Sequence, residues 1–216
     1  MSTQDVASRP AGRGSQQALL AITAAILLVA GGWAVGRLSA PMPSGLSGGS
    51  SEADFARDIQ AHHLQAVEMS MMIRDRTQDP EIRQLAYDVA RTQQHQAGQM
   101  YGWLSVWDLP QASPQPAMAR MEGSAGHSTS HATTQDAPAM SGMATSAELE
   151  ALEEAEGLEA ERLYLELMIP HHKAGVTMAE AALAETDYPA VRSLAQSIVA
   201  SQQSEIRYLE QLLSTR

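Results

Sequence analysis

Shifted by 109 residues, the chain aligns with itself without a gap. His62 and His63 fall on His171 and His172, Val67 on Val176, Met69 on Met178 and Thr77 on Thr186. Pro80 meets Pro189, Arg83 meets Arg192, Leu85 and Ala86 meet Leu194 and Ala195, Gln93 and Gln94 meet Gln202 and Gln203, and Leu104 meets Leu213. Twelve identities over 43 positions in one register are hard to obtain from composition alone. Each copy carries two helical runs, and a helix pair cannot bury its apolar stripes by itself. Two such pairs can, so the expected fold class is all-α, a four-helix bundle built from two tandem helical hairpins.

Local signals set the boundaries. Ser51 to Asp54 reads S-x-x-D, a helix start, and Phe55, Ile59, His62, Ala66 and Met69 follow at helical spacing. Pro80 occupies a favoured first-turn position, Ile82, Leu85 and Val89 carry the next run toward Trp103, and Pro110 stops it. Hairpin 1 is therefore expected at 52–110. Residues 111–145 are rich in Pro, Gly, Ser and Thr with no apolar period, which predicts a linker. Hairpin 2 takes 146–216, ending in a run through Val191, Leu194, Ile198, Ile206, Leu209 and Leu213. Pro170 is expected to kink or restart its helix. The stretch 148–161 has seven glutamates and no basic residue, as a solvated helix face does.

Ahead of the bundle, Ala18 to Gly36 is uncharged for nineteen residues, roughly 28 Å as a helix and about one bilayer core. It predicts one N-terminal transmembrane helix at 18–36. Arg9 and Arg13 precede it and only Arg37 follows closely, so residues 1–17 are expected in the cytoplasm and the bundle in the periplasm or outside the cell. A cleaved signal peptide ending in the Leu38–Ala40 triplet is the competing reading, disfavoured by Pro41. Residues 37–51, rich in Pro, Gly and Ser, read as a flexible tether.

Composition then excludes whole classes of chemistry. Cysteine is absent, which removes disulfides, thiolate sites and cysteine nucleophiles. A net charge of -11 argues against a nucleic-acid partner. No H-E-x-x-H, G-x-S-x-G or phosphate-binding glycine loop occurs, so no enzymatic activity is expected. A carboxylate-bridged di-iron site needs Glu three residues before a ligand His. Ile59, Gln60, Thr92, Met168 and Ile169 stand there instead, before His62, His63, His95, His171 and His172.

Twelve Met and seven His remain as the chemically active residues. The repeated motif is H-H-x-x-[AG]-V-x-M, from His62 and His63 to Met69 and from His171 and His172 to Met178. On a helix, His62, Ala66 and Met69 share one face, as do Met168, His171, Gly175 and Met178. Each copy thus offers imidazole and thioether on one stripe, although Met on such a stripe also serves simply as core filler. The linker adds Met118, Met121, His127, His131, Met140 and Met143, with M-x-x-M twice and H-x-x-x-H once. Thioethers favour soft Cu(I) or Ag(I), so the candidate cofactor is a copper ion, as Cu(I).

The second copy, LYLELMIPHHKAGVTMAEAAL followed by YPAVRSLAQSIVASQQSEIRYLEQLL, resembles the extracytoplasmic bacterial family called domain of unknown function 305. The resemblance covers 52–213 apart from the linker and rests on MIPHH and a downstream A-x-x-I-x-x-x-Q-x-x-E-I pattern. It implies a ferritin-like fold of tandem hairpins and, for some members, copper binding or tolerance. The family motif corresponds here to Met168, His171, His172 and Met178, and to MSGM at 140–143. The first copy departs from it, with Ala61 in place of the proline and Ser70 in place of the alanine.

The resulting expectation is a membrane-anchored, extracytoplasmic protein that buffers copper or hands it on through His and Met. Its partners would be the ion, the membrane, and a copper-handling protein or a second copy of the chain. The alternative is a cell-envelope interaction module whose contact surface is 148–161 and whose histidine pairs are structural.

Overall fold

The computed structural model describes residues 46–112 and 140–216. They form five helices, α1 (Ser51–Arg74), α2 (Pro80–Val106), α3 (Ser146–Glu154), α4 (Gly157–Glu185) and α5 (Pro189–Leu213), and no strand occurs among the described residues. The starts of α1, α2 and α3 follow their capping chemistry. Ser50 accepts a hydrogen bond from the Ala53 amide, Asp79 accepts from the Glu81 and Ile82 amides ahead of Pro80, and Thr145 and Glu148 close a reciprocal capping box.

In the second hairpin one expectation is corrected, and of the two outcomes expected at Pro170 one is excluded. The acidic stretch 148–161 is not one helix: α3 ends at Glu154, Ala155 is extended, and α4 starts at Gly157, whose φ of 56° suits glycine. Arg76 holds this break by donating to the carbonyls of Glu153, Leu152 and Ala155. Pro170, in turn, does not restart the helix, because α4 runs unbroken through it. Pro170 and Glu166, whose carbonyl loses its helical partner, are both exposed, where water can replace the missing donor.

The repeat becomes an approximate twofold arrangement. Thr77 donates to Glu161 over 2.6 Å, and its counterpart Thr186 donates to Glu52, the counterpart of Glu161. Arg83 donates to the Thr77 carbonyl as Arg192 does to that of Thr186. Each interhelical turn is thereby tied to the opposite hairpin.

The core divides into two apolar clusters, and each draws on all four long helices. One gathers Ala66, Met69 and Ile73 of α1, Ile82, Leu85 and Val89 of α2, Tyr164, Leu165 and Met168 of α4, and Leu209 and Leu212 of α5. The other gathers Phe55, Ala56 and Ile59 of α1, Met100 and Leu104 of α2, Ala179 and Ala182 of α4, and Val191, Leu194 and Ile198 of α5. Between the two sets every long helix contributes buried polar residues, beside small or apolar ones such as Ala90, Ala97 and Val176. His62 and His63, Gln93 and Gln96, His171 and His172, and Gln202 are all buried there.

No helix among the described residues is long and apolar enough to cross a membrane. The segment expected to do so, 18–36, lies outside them, as do residues 1–17.

Candidate functional site

The layer between the clusters is built from repeat-related pairs. His62 and His171 stack at its centre, ring centroids 3.7 Å apart and planes 29° from parallel. Beside them, His63 Nε2 lies 2.8 Å from Gln96 Oε1, and His172 Nε2 lies 2.8 Å from Glu205 Oε2. Both oxygens only accept, so each Nε2 carries a proton and donates, and in the neutral His63 this leaves Nδ1 with a free lone pair. Nδ1 of His63 and His172 has no hydrogen-bond partner, and neither ring nitrogen of His62 or His171 has one. All four side chains are 0% exposed.

Gln93 and Gln202, buried in the same layer, have no partner for either amide atom. Gly175 accounts for the position of one of them, since a Cβ there would come within 2.4 Å of Gln202 Oε1. The small residue after the histidine pair therefore makes room for a neighbouring amide.

Burial controls the charge of the layer. It pushes His62 down to about 4, assisted by the charge of His172. His63 falls to about 3 through burial and the neighbouring His62, against the upward pull of its bond to Gln96. Burial, then His62, His172 and His63, drive His171 far below the ordinary imidazole range. At neutral pH these three rings are uncharged, the form in which imidazole donates a lone pair to a metal.

The methionines separate into two groups. Met69 and Met168 are fully buried in one apolar cluster, and Met178 packs against the other. The imidazole and thioether of each helical stripe thus belong to different layers of the bundle. Met140 and Met143 are in neither cluster and are only half-buried. They bracket a turn closed by the Met143 amide donating to the Met140 carbonyl over 3.1 Å. At its tip Gly142, with φ 79°, lies so close to α4 that a Cβ would be 2.7 Å from the Pro170 carbonyl oxygen and 2.4 Å from Ala174 Cβ. Gln65 then clamps Ala144 with two bonds of 2.8 Å. Both anchors are within a turn of His62 or His171. Met118, Met121, His127 and His131 lie outside the described residues.

Among the described residues no three His, Asp or Glu side chains converge as a ready-made metal cage. Gln96 also lines an open groove of about 590 Å³ between α2 and α5, together with Thr92, His95 and Trp103. Sequence reasoning paired the histidines but not their partners. Gln96 and Glu205 hold the same place in the two copies, each 33 residues beyond its histidine, but they differ in residue type, so the repeat does not mark them.

An all-helical bundle of two repeat-related hairpins around a buried histidine layer defines the class. The family model for the domain of unknown function DUF305 matches residues 52–213, and the chain belongs to that family. A DUF305 protein of Streptomyces coelicolor, assigned to the secreted proteins, is 43% identical, with TM-score 0.69 and coverage of 78% of this chain and 95% of that one. A DUF305 fragment from Deinococcus radiodurans is 32% identical, with TM-score 0.61 and coverage of 77% and 97%. CopM in its Cu(II)-bound form is 26% identical, with TM-score 0.59 and the same coverage of 77% and 97%. CopM is also known in Cu(I)-bound and silver-bound forms, at 24% and 23% identity, a likeness that speaks to the fold alone. An uncharacterized protein of Acanthamoeba polyphaga mimivirus is 38% identical over 56 residues, and this match spans 26% of this chain and only 37% of that protein.

Proposed function

We propose that the protein binds copper as Cu(I) in and beside the histidine layer, outside the cytoplasm, and buffers the ion or hands it on without catalysing a reaction. The observation that carries this reading is the set of four fully buried imidazoles with six ring nitrogens lacking hydrogen-bond partners. Each unsatisfied buried polar group costs about 1–3 kcal/mol, so an apolar layer would serve stability better. Ligation of an ion would offset that cost.

The preference for Cu(I) rests on Met140 and Met143, which are in neither apolar cluster and flank the Gly142 that abuts Pro170 and Ala174 of α4. Thioethers are soft, neutral and exchangeable, which suits transfer. The Cu(II)-bound relative CopM supports copper as the cargo, and the assignment of the Streptomyces relative to the secreted proteins supports the extracytoplasmic location. Membrane attachment through 18–36 is part of the same proposal and rests on the uncharged apolar run.

The test is Cu(I) competition against a chelator of known affinity, using the full chain with Met118, Met121, His127 and His131 replaced. His171→Ala is expected to weaken binding at least tenfold, about 1.4 kcal/mol. Met143→Leu, which keeps volume while deleting the sulfur, should also weaken it. Met178→Leu is a core swap that should cost less than about 1.5 kcal/mol of stability, so any larger loss of affinity assigns its sulfur to the ion. Unchanged affinity in His171→Ala, with helicity retained, would return the histidines to a structural role.

A further inference from the structure

The two halves of the histidine layer match in position but not in charge. His62 corresponds to His171, His63 to His172 and Gln93 to Gln202, and the bonds to Gln96 and Glu205 have the same 2.8 Å length and the same separation in sequence. The mismatch is Gln96 against Glu205. Glu205 is the one carboxylate hydrogen-bonded to a histidine among the described residues. Its side chain is 24% exposed while that of His172 is 0% exposed, so the carboxylate stands at the margin of the buried layer.

We infer that Glu205 supplies the carboxylate that strengthens the binding of a cation in the layer, while its counterpart Gln96 only orients a histidine. This rests on reading the layer as the copper site. A buried ion is costly unless its charge is compensated nearby. A carboxylate at the margin of the layer offsets part of that charge, and it does so more strongly for a +2 ion than for a +1 ion. Gln96 holds His63 in the same orientation without charge, so orientation alone requires no carboxylate. The carboxylate supplies a charge that the amide cannot.

The same comparison separates charge from positioning. Glu205→Gln keeps an acceptor for His172 Nε2 and removes the charge, and Gln96→Glu adds a second charge at the repeat-related place. The double variant Gln96→Glu/Glu205→Gln moves the single charge from His172 to His63. Affinities for Ag(I), a redox-inert soft monocation, and for Zn(II) are measured by competition on the full chain with Met118, Met121, His127 and His131 replaced, with circular dichroism reporting the fold.

A nearby opposite charge changes the stability of a charged group by roughly ten- to a thousandfold. Glu205→Gln should therefore weaken Ag(I) by at least about tenfold, and Zn(II) by more because it carries twice the charge. Gln96→Glu should lower the Ag(I) over Zn(II) preference by about tenfold, and the double variant should return that preference to within about threefold of the parent chain. A purely structural role predicts the opposite for the double variant, which would bind worse than either single variant. That outcome, or unchanged Ag(I) affinity in Glu205→Gln, overturns the inference while leaving the copper reading intact. Failure of the parent chain to bind Ag(I) or Cu(I) overturns both.

Discussion

At the scale of single residues, a histidine that is buried neutral links stability to pH. His62 and His63, at about 4 and about 3 when folded, bind a proton in the unfolded chain as pH falls through about 6.5 but not in the native state. Below 6.5 the unfolded state therefore holds more protons, and stability falls with pH, by up to about 1.4 kcal/mol per pH unit for each such ring. The loss continues until the folded values are reached, so the window is about pH 6.5 down to 4 for His62 and down to 3 for His63; His171, depressed further, acts in the same direction. Urea unfolding of the metal-free protein should show a midpoint that is level above pH 7 and drops steadily from 6.5 to 4.5. A midpoint flat across that range would mean that the rings are solvated. The histidine pairs themselves were legible, because the repeat superimposes them. Gln96 and Glu205 were not, because a partner 33 residues away is fixed by the length of the turn and the register of two helices, neither of which a local motif records.

At the scale of elements, boundaries with a chemical cap were legible and those made by distant contacts were not. The starts read at Ser51, Pro80 and Ser146 hold, and the side chains that satisfy their free amides are those one position earlier, Ser50, Asp79 and Thr145. The end of α3, by contrast, is gripped by Arg76 of the first hairpin, more than seventy residues earlier in the chain. Continuity of α4 through Pro170 likewise depends on where the freed carbonyl points, which periodicity cannot reveal. The Met140–Met143 turn offers the sharpest test at this scale. Gly142 combines φ 79° with near contact to Pro170 and Ala174, so an added Cβ is strained by backbone and by space together. The left-handed conformation alone costs a non-glycine residue about 1–2 kcal/mol. Gly142→Ala should lift the turn from α4, lower thermal stability, and open the 140–145 segment to proteolysis while α1, α2, α4 and α5 stay protected. Unchanged protease resistance would show that the turn can shift without leaving the helix. If the thioethers of Met140 and Met143 serve the ion from this turn, the same variant should lose Cu(I) affinity although no ligand atom has been removed.

At the scale of the whole molecule, the question is whether either hairpin is a folding unit. Met69, Ile73 and Leu85 from the first hairpin share one cluster with Leu165, Met168 and Leu209 from the second, and Phe55, Ile59 and Leu104 share the other with Val191, Leu194 and Ile198. The Thr77 to Glu161 and Thr186 to Glu52 bonds, and the contact of Arg216 with Asp79, also cross between hairpins. Fully burying one large apolar side chain contributes about 1.5–3 kcal/mol, whereas the net stability of a domain is only about 5–15 kcal/mol. Exposing half of both clusters therefore removes more than the whole margin. Helices of 24 and 27 residues do not replace that loss, since helicity without tertiary packing is marginal in water. A fragment of 46–112 should accordingly show weak helicity that melts gradually, and so should one of 140–216. Mixed in equal amounts, the two should recover a cooperative transition, because the clusters are completed by docking and need no covalent link through 113–139. A sharp transition in either fragment alone would mean two independent domains. The histidine layer would then be an interface between them, and the His62 and His171 stack would form only when they dock.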